Sequence, residues 1–284
     1  MQESTKSDYV LGTATGYSWA EIYPFVQSLK ETGFEGKIVL FIYDTDDLAM
    51  ECSNLGVDTI CIQPQYPFSD RLKSCEISKK CSDAKLHIQS RRFPMYLMFL
   101  NSLSSLKGRF LLSDVRDVVF QKSPFFAGFD RDLGASKRIG CVLEERNSLI
   151  RDRPINRGWI QGMYGDEILK EIESNPIACS GTIFGHGDSI RELCAQMTDA
   201  LASRGNSVVG IDQGAYNYLI HCESVSSKKY DNLSGPVSTL GLAPKIELDV
   251  NSNVLLESGE IAAIVHQYDR HSSLNKLILA KYAT

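Results

Sequence analysis

Paired cysteines of the kind that bind zinc or cycle between thiol and disulfide are missing from this chain. Its eight cysteines fall at positions 52, 61, 75, 81, 141, 179, 194 and 222, and none forms Cys-x-x-Cys, which disfavours zinc and redox motifs. Most sit in apolar runs such as Thr59-Ile60-Cys61-Ile62, so buried free thiols are expected, the default in a reducing compartment. Cys75 and Cys81 share a polar loop and are the pair that would bridge if the chain were secreted. Long apolar runs are missing as well. No stretch reaches the roughly 18 residues that mark a membrane-spanning helix, and Met1 to Asp8 lacks the apolar core of a signal peptide. There is no Lys/Arg-rich run, and the net charge is −5, from 30 basic and 35 acidic residues. A nucleic-acid partner is therefore disfavoured, because phosphate-backbone binding needs a basic face. Repeats, low-complexity tracts and linkers are absent too. What remains is a chain of 284 residues, 43% hydrophobic, with ample material for a core.

The first half alternates strand and helix. Tyr9 to Ala14 reads as a short strand, and Trp19 to Thr32 as an amphipathic helix with Ile22, Phe25, Val26 and Leu29 on one face. Lys37 to Tyr43 and Val57 to Ile62 read as further strands, with a helix starting at Asp46-Asp47 between them. Residues 63–85 are polar and read as a long loop. Pro94 is expected to open a strongly apolar helix to Leu106, its fixed φ suiting a first turn. The strand Arg109 to Leu112 follows. Strands separated by helices and short loops predict a doubly wound, mostly parallel sheet flanked by helices, an α/β fold. The second half is less regular. Ile139 to Leu143 reads as a strand, Asp152 to Gly165 as a loop, and Ile177 to Gly185 as a strand broken by Ser180-Gly181. Asp188 to Ser203 and Asp212 to His221 read as helices, and Ile261 to Val265 as a late strand.

The most informative stretch is Phe-Leu-Leu-Ser-Asp-Val-Arg-Asp-Val-Val-Phe, residues 110–120. Two carboxylates, Asp114 and Asp117, stand between two apolar strands with Arg116 between them. Carboxylates so placed cost several kcal/mol unless a positive group compensates them. The crevice beyond a strand end is also where α/β sheets bind ligands. A divalent cation carrying a diphosphate satisfies both conditions, since hard cations prefer such oxygens. The plainer reading of Asp114 is a strand-end cap or an ion pair with Arg116.

Three more polar clusters border apolar elements: Cys179-Ser180-Gly181, Asp212-Gln213, and His266 to His271. The order of the four resembles the GT-A glycosyltransferases, and most closely the retaining type of glycogenin and the bacterial lipopolysaccharide galactosyltransferases. That pattern has a strand ending in Asp-x-Asp, a short apolar strand, a small-residue strand, an Asp-Gln helix start, and a late metal-binding His. Lined up on Val-Val-Phe, Asp117 takes the place of a metal-ligating Asp. The position two residues earlier is Val115, so Asp114 joins only if the chain bulges or turns. The resemblance implies a single GT-A-like domain, with about 8–130 holding the nucleotide sugar and about 131–284 the acceptor. It also implies Mn²⁺ or Mg²⁺ on Asp114, Asp117 and His266.

The remaining site candidates follow from both sources. The resemblance assigns the loop Thr13-Ala14-Thr15 to the nucleotide, and its small residues let a base and ribose approach the backbone. It is not Gly-x-Gly-x-x-Gly, which disfavours a dinucleotide fold. Asp44 either accepts hydrogen bonds from base or ribose or caps the following helix. Arg92, Arg116 and Arg270 are candidates for diphosphate or sugar, and the resemblance implies that residues around Cys179 to Gly181 hold the donor sugar. Asp212 and Gln213 either cap a helix or, as the resemblance has it, stand near the anomeric carbon, where a carboxylate or amide dipole would stabilise positive charge. Glu144 is the candidate base for an acceptor hydroxyl. Trp159 either stacks on an acceptor sugar or packs.

The implied function is transfer of a hexose from a nucleotide sugar, UDP-linked, to a saccharide or other hydroxyl acceptor on a glycoconjugate. Two rivals are a sugar-nucleotide nucleotidyltransferase and a non-catalytic carbohydrate-binding protein of the same fold. The first usually carries a Gly- and Arg-rich loop, and Gly12 to Tyr17 has neither Arg nor Lys. A cytoplasmic protein, or the lumenal catalytic part of a membrane-anchored enzyme, is expected.

Overall fold

In the computed structural model, which describes residues 7–43, 47–62, 86–134, 138–204, 207–243 and 245–283, the fully buried Val10 and Leu11 lie on the strand that organises the molecule. In chain order the elements are β1 (Tyr9–Thr13), α1 (Trp19–Glu31), β2 (Lys37–Tyr43), α2 (Leu48–Asn54), β3 (Asp58–Ile62), α3 (Arg92–Ser102), β4 (Arg109–Ser113) and β5 (Val118–Phe120). Then come β6 (Ile139–Leu143), α4 (Pro154–Ile172), β7 (Ala178–His186), α5 (Gly187–Arg204), α6 (Ile211–His221), β8 (Ser227–Tyr230), β9 (Val237–Thr239), β10 (Ile264–His266) and α7 (Ser272–Lys281). Asp44, Cys75 and Cys81 lie outside the described residues.

Among the described residues a seven-stranded sheet runs in the order β3-β2-β1-β4-β7-β6-β8. The chain steps outward from β1 to β2 and β3, then returns to the other side of β1 with β4. The strand order therefore reverses between β1 and β4, the kind of switch point at which open α/β sheets form a crevice. Strands β3, β2, β1 and β4 are mutually parallel, and β7 is antiparallel to both its neighbours, β4 and β6. A smaller sheet, β5-β10-β9, stands beside it.

Local sequence explains the elements that frame the crevice. The backbone N–H of Ser18 donates to the Glu21 carboxylate at 2.8 Å, closing the start of α1. Ile22, Phe25, Val26 and Leu29 are all fully buried, on the face expected. Helix α3 is apolar all round and buried accordingly, with Phe93, Met95, Tyr96 and Leu100 nearly inaccessible. Burying each such side chain contributes about 1.5–3 kcal/mol. At Gly12 a Cβ would stand 2.4 Å from Val115 Cγ2, so only glycine lets the turn after β4 pack across β1.

Several expectations change. Helix α3 starts at Arg92, after a single tight turn from Ile88 to Arg91; Pro94 is tolerated because a first-turn N–H has no intrahelical acceptor anyway. Residues 152–165 are not a loop. Pro154 opens α4 at its first turn, and Ile160, Met163, Leu169 and Ile172 bury a stripe interrupted only where Gly165 adopts φ 81°. β7 is continuous. What breaks near Ser180-Gly181 is its pairing with β6, whose register slips between Cys141 and Val142. β8, β9 and α7 are additional to the expected elements. Among the described residues no helix is long and apolar enough to cross a membrane.

Candidate functional site

Asp114 leaves the C-terminal end of β4, Asp117 immediately precedes β5, and His266 ends β10. The antiparallel register sets His266 opposite Val118, so strand pairing alone brings the imidazole next to Asp117. The intervening turn folds Asp114 back. Asp114 N–H donates to Gly181 O at 2.7 Å, Tyr268 Oη donates to Arg116 O at 2.9 Å, and Gln267 N–H donates to Asp117 O at 2.8 Å. One ligand atom each from Asp114, Asp117 and His266 then lies within 4.8 Å of the others. Gly181 makes this possible, because a Cβ there would stand 2.4 Å from His266 Cε1 and 2.5 Å from Asp114 Oδ2.

His266 is fully buried. Its Nε2 faces Asp114 Oδ2 at 3.4 Å and Asp117 Oδ1 at 3.9 Å, yet has no hydrogen-bond partner among the described residues. Burial opposes charge on this ring, but the Cys179 sulfur and the two carboxylates outweigh it and raise its pKa. Burial also works against an ionised Asp114, and Arg92 with His266 reverses that, holding the carboxyl well below its usual range. Asp117 has no guanidinium paired with it as Asp114 has. Burial raises its pKa, with Asp114 and Asp269 adding to the effect, and His266 and Arg116 oppose it only in part. A buried carboxylate short of positive charge, beside an unpartnered imidazole nitrogen, is a donor set that fits a divalent cation such as Mn²⁺ or Mg²⁺.

Arg92 ties this group to α6. Its guanidinium pairs with Asp114, and its Nη2 donates to Asp212 Oδ2 at 2.7 Å and to Ser180 Oγ at 2.8 Å. Asp212 is thus an ion-pair partner in the second residue of α6, and the residue before the helix is Gly210. Farther along α6, Gln213, Asn217 and His221 recur every four residues on one face. β4 pairs with β7 only as far as Ser113 opposite Thr182, which leaves that edge of residues 178–180 without a strand. Side chains take its place. Gln213 Oε1 accepts from Ser180 N–H at 2.9 Å and its Nε2 donates to Ala178 O at 2.6 Å. Asn217 accepts from Ala178 N–H at 2.9 Å and donates back to Ala178 O at 3.0 Å. His221 Nε2 bonds Pro176 O at 2.9 Å.

Of these residues Arg92, Asp114, Asp117, Ser180, Asp212 and Gln213 line a cleft of about 390 Å³, while Asn217, His221 and His266 are not part of its lining. Thr13, Thr15, Arg116, Glu144, Gly181 and Arg270 also face it, as does Trp159. Ala14 does not, being fully buried with its N–H bonded to Phe41 O at 2.8 Å. Arg116 pairs with Asp269 at 3.1 Å and lies 5.8 Å over the Tyr17 ring. Burial raises the Glu144 pKa against the pull of His266, Arg153 and Arg270. Tyr17, Cys179, Ser180 and Gln267 face the cleft too, as do His87, Gln89 and Asn156, for which the sequence offers no signal. Tyr17 directly follows the loop assigned to the nucleotide, and Cys179-Ser180 lies within a cluster already marked, so both were within reach of the sequence. Gln267, held at φ 60° just after His266, likewise lies within the marked cluster His266 to His271.

A mostly parallel sheet with a smaller sheet beside it, and a carboxylate pair at the switch point, is a GT-A-like architecture. The crystal structure of mouse xyloside xylosyltransferase 1 in its apo form has a similar fold, with a TM-score of 0.56 over 92% of this chain and 98% of that one, at 13% sequence identity. That likeness concerns the fold and does not single out the glycogenin-like type. No family model matches the chain, and no curated protein matches it by sequence.

Proposed function

We propose that this protein is a glycosyltransferase that moves a sugar, a hexose, from a UDP-linked donor to a hydroxyl of a saccharide or glycoconjugate acceptor. The observation that carries this reading is the meeting of Asp114, Asp117 and the unpartnered Nε2 of His266 at the switch point of a GT-A-like sheet. Asp114, Asp117 and His266 would hold Mn²⁺ or Mg²⁺. When bound, the ion neutralises charge that accumulates on the departing diphosphate.

The chain's own groups perform the rest. Thr13 and Thr15 border the nucleoside, with Asp44 as a further acceptor for base or ribose. Arg116 and Arg270, both more than 40% exposed at the cleft rim, reach phosphate oxygens. Arg92 fixes the carboxylates of Asp114 and Asp212 in one orientation, so Asp212 stands ready to stabilise positive charge at the anomeric carbon. Gln213 holds residues 178–180, and with them Gly181, against the donor sugar. Glu144, whose burial favours taking up a proton, accepts one from the acceptor hydroxyl. The acceptor lies on the side of Trp159, within the half formed by 131–284 of a single domain.

Thermal-shift measurements with UDP, GDP, CMP and their sugars, each with and without Mn²⁺, test this reading. A ligand at a hundred times its Kd stabilises the native state by about 2.7 kcal/mol, so UDP with Mn²⁺ should raise the melting temperature clearly. No response to any nucleotide would overturn the proposal.

A further inference from the structure

His266 has two ring nitrogens, and the structure gives them different surroundings. Nε2 faces the two carboxylates without a hydrogen bond, while Nδ1 lies 3.7 Å from Cys179 Sγ on the opposite side of the ring. Cys179 is itself buried, 3% exposed. We infer that Cys179 is a positioning residue that sets the proton on the His266 ring so that Nε2 can present its lone pair to a divalent cation. The inference rests on the metal site proposed above.

The argument is one of proton count. A neutral imidazole carries a single N–H, and the nitrogen that bears it cannot coordinate. For Nε2 to coordinate, the proton must sit on Nδ1, and a buried Nδ1–H needs an acceptor. The Cys179 sulfur occupies that position. In the absence of a cation the carboxylates of Asp114 and Asp117 favour a proton on Nε2 as well; to hold an ion the ring would give up that proton and keep the one on Nδ1, which the sulfur would accept.

The sulfur is held where this requires. Cys179 is paired with Val142 across β6 and β7. The next residue, Ser180, is bonded through both its N–H and its hydroxyl to Gln213. Sγ is not part of the cluster of converging ligand atoms, so its role is exerted through His266 rather than on the ion.

Mn²⁺ titration followed by electron paramagnetic resonance, alone and with UDP, tests this on wild type and on Cys179→Ala, Cys179→Val and Cys179→Ser. Removing the group that orients a metal-ligating histidine typically costs 10–100-fold in metal affinity, so Ala and Val should weaken Mn²⁺ binding by about that factor. Ser, which both donates and accepts, should recover most of it. Nitrogen-15 spectra of the histidines in metal-free protein give a second readout, since Val keeps the apolar volume but should change the His266 tautomer signals. The role is overturned if Ala and Val bind Mn²⁺ as tightly as wild type, or if the His266 signals do not move. Failure of wild type itself to bind Mn²⁺ overturns both this role and the metal site, and UDP binding then tests the transferase reading separately.

Discussion

The two ends of β7 are held by different means. From Ile183 to Gly185 the strand lies between β4 and β6 with ordinary ladders on both edges. From Ala178 to Ser180, the edge beyond the end of β4 is satisfied by Gln213 and Asn217, with Arg92 on the Ser180 hydroxyl. The first arrangement depends only on backbone and would accept many side chains. The second depends on named side chains, and it is the end that faces the cleft. Shape and chemistry of the site are therefore specified by the same residues, and damage to one is damage to the other.

Arg92 should show this most strongly. Arg92→Ala strands Asp114 and Asp212, and breaking a buried ion pair by removing one partner costs about 3–5 kcal/mol. Urea denaturation should register that loss, together with loss of Mn²⁺ and UDP binding. Arg92→Lys should recover only part of both, because an ammonium cannot span two carboxylates and a hydroxyl as a planar guanidinium does.

Asn217→Ala comes next. It leaves the N–H of Ala178 without its partner, while Ala178 O keeps the bond from Gln213, at about 1–3 kcal/mol for a buried unsatisfied group, and should weaken UDP binding through the displaced Gly181. Ile183→Val at the laddered end should cost about 1 kcal/mol and leave UDP binding unchanged. Equal effects of the two substitutions on binding would erase the distinction between the two ends.

A separate effect, confined to acid pH, is a pH dependence from His221, which bonds the chain just before β7. Burial, with Lys229 adding to it, pushes this imidazole down to about 4, against the opposing bond to Pro176 O. The unfolded chain then takes up a proton near the ordinary value of about 6.5, while the native state takes it up only near 4. Its contribution to stability is complete above the ordinary value and declines as pH falls between the two. His221→Gln should flatten the wild-type loss of stability over that window in urea midpoints measured at several pH values. An unchanged slope would assign that loss to other groups.

Much of this was legible in the sequence, and the rest was hidden for identifiable reasons. β2, β5 and β6 fall where their apolar runs are, because β-rich runs bounded by polar residues and glycines leave little choice. The short strand β9 did not show because three residues carry no period. α4 did not show because Gly158, Gly162 and Gly165 and its many polar residues mask a stripe of only four buried apolar positions. In the site, Asp114, Asp117 and His266 converge as the resemblance implied, through a turn rather than adjacency in an Asp-x-Asp motif. The link from Arg92 to Asp114 and Asp212 spans 22 and 120 residues, and no local pattern encodes such a pairing. The stripe Gln213, Asn217 and His221 was visible as polar positions four apart on a predicted helix. What it holds depends on where β4 ends, which only the fold decides.

The central claim is that Asp117, with Asp114 and His266, holds a divalent ion that in turn holds the diphosphate of a nucleotide. Calorimetric titration of UDP into wild type and Asp117→Ala, with Mn²⁺ and with chelator, addresses it directly. The account predicts Mn²⁺-dependent binding to wild type and its loss in a still-folded Asp117→Ala. Equal binding to both proteins, with or without Mn²⁺, would contradict it and make Arg116 and Arg270 the phosphate-binding groups instead.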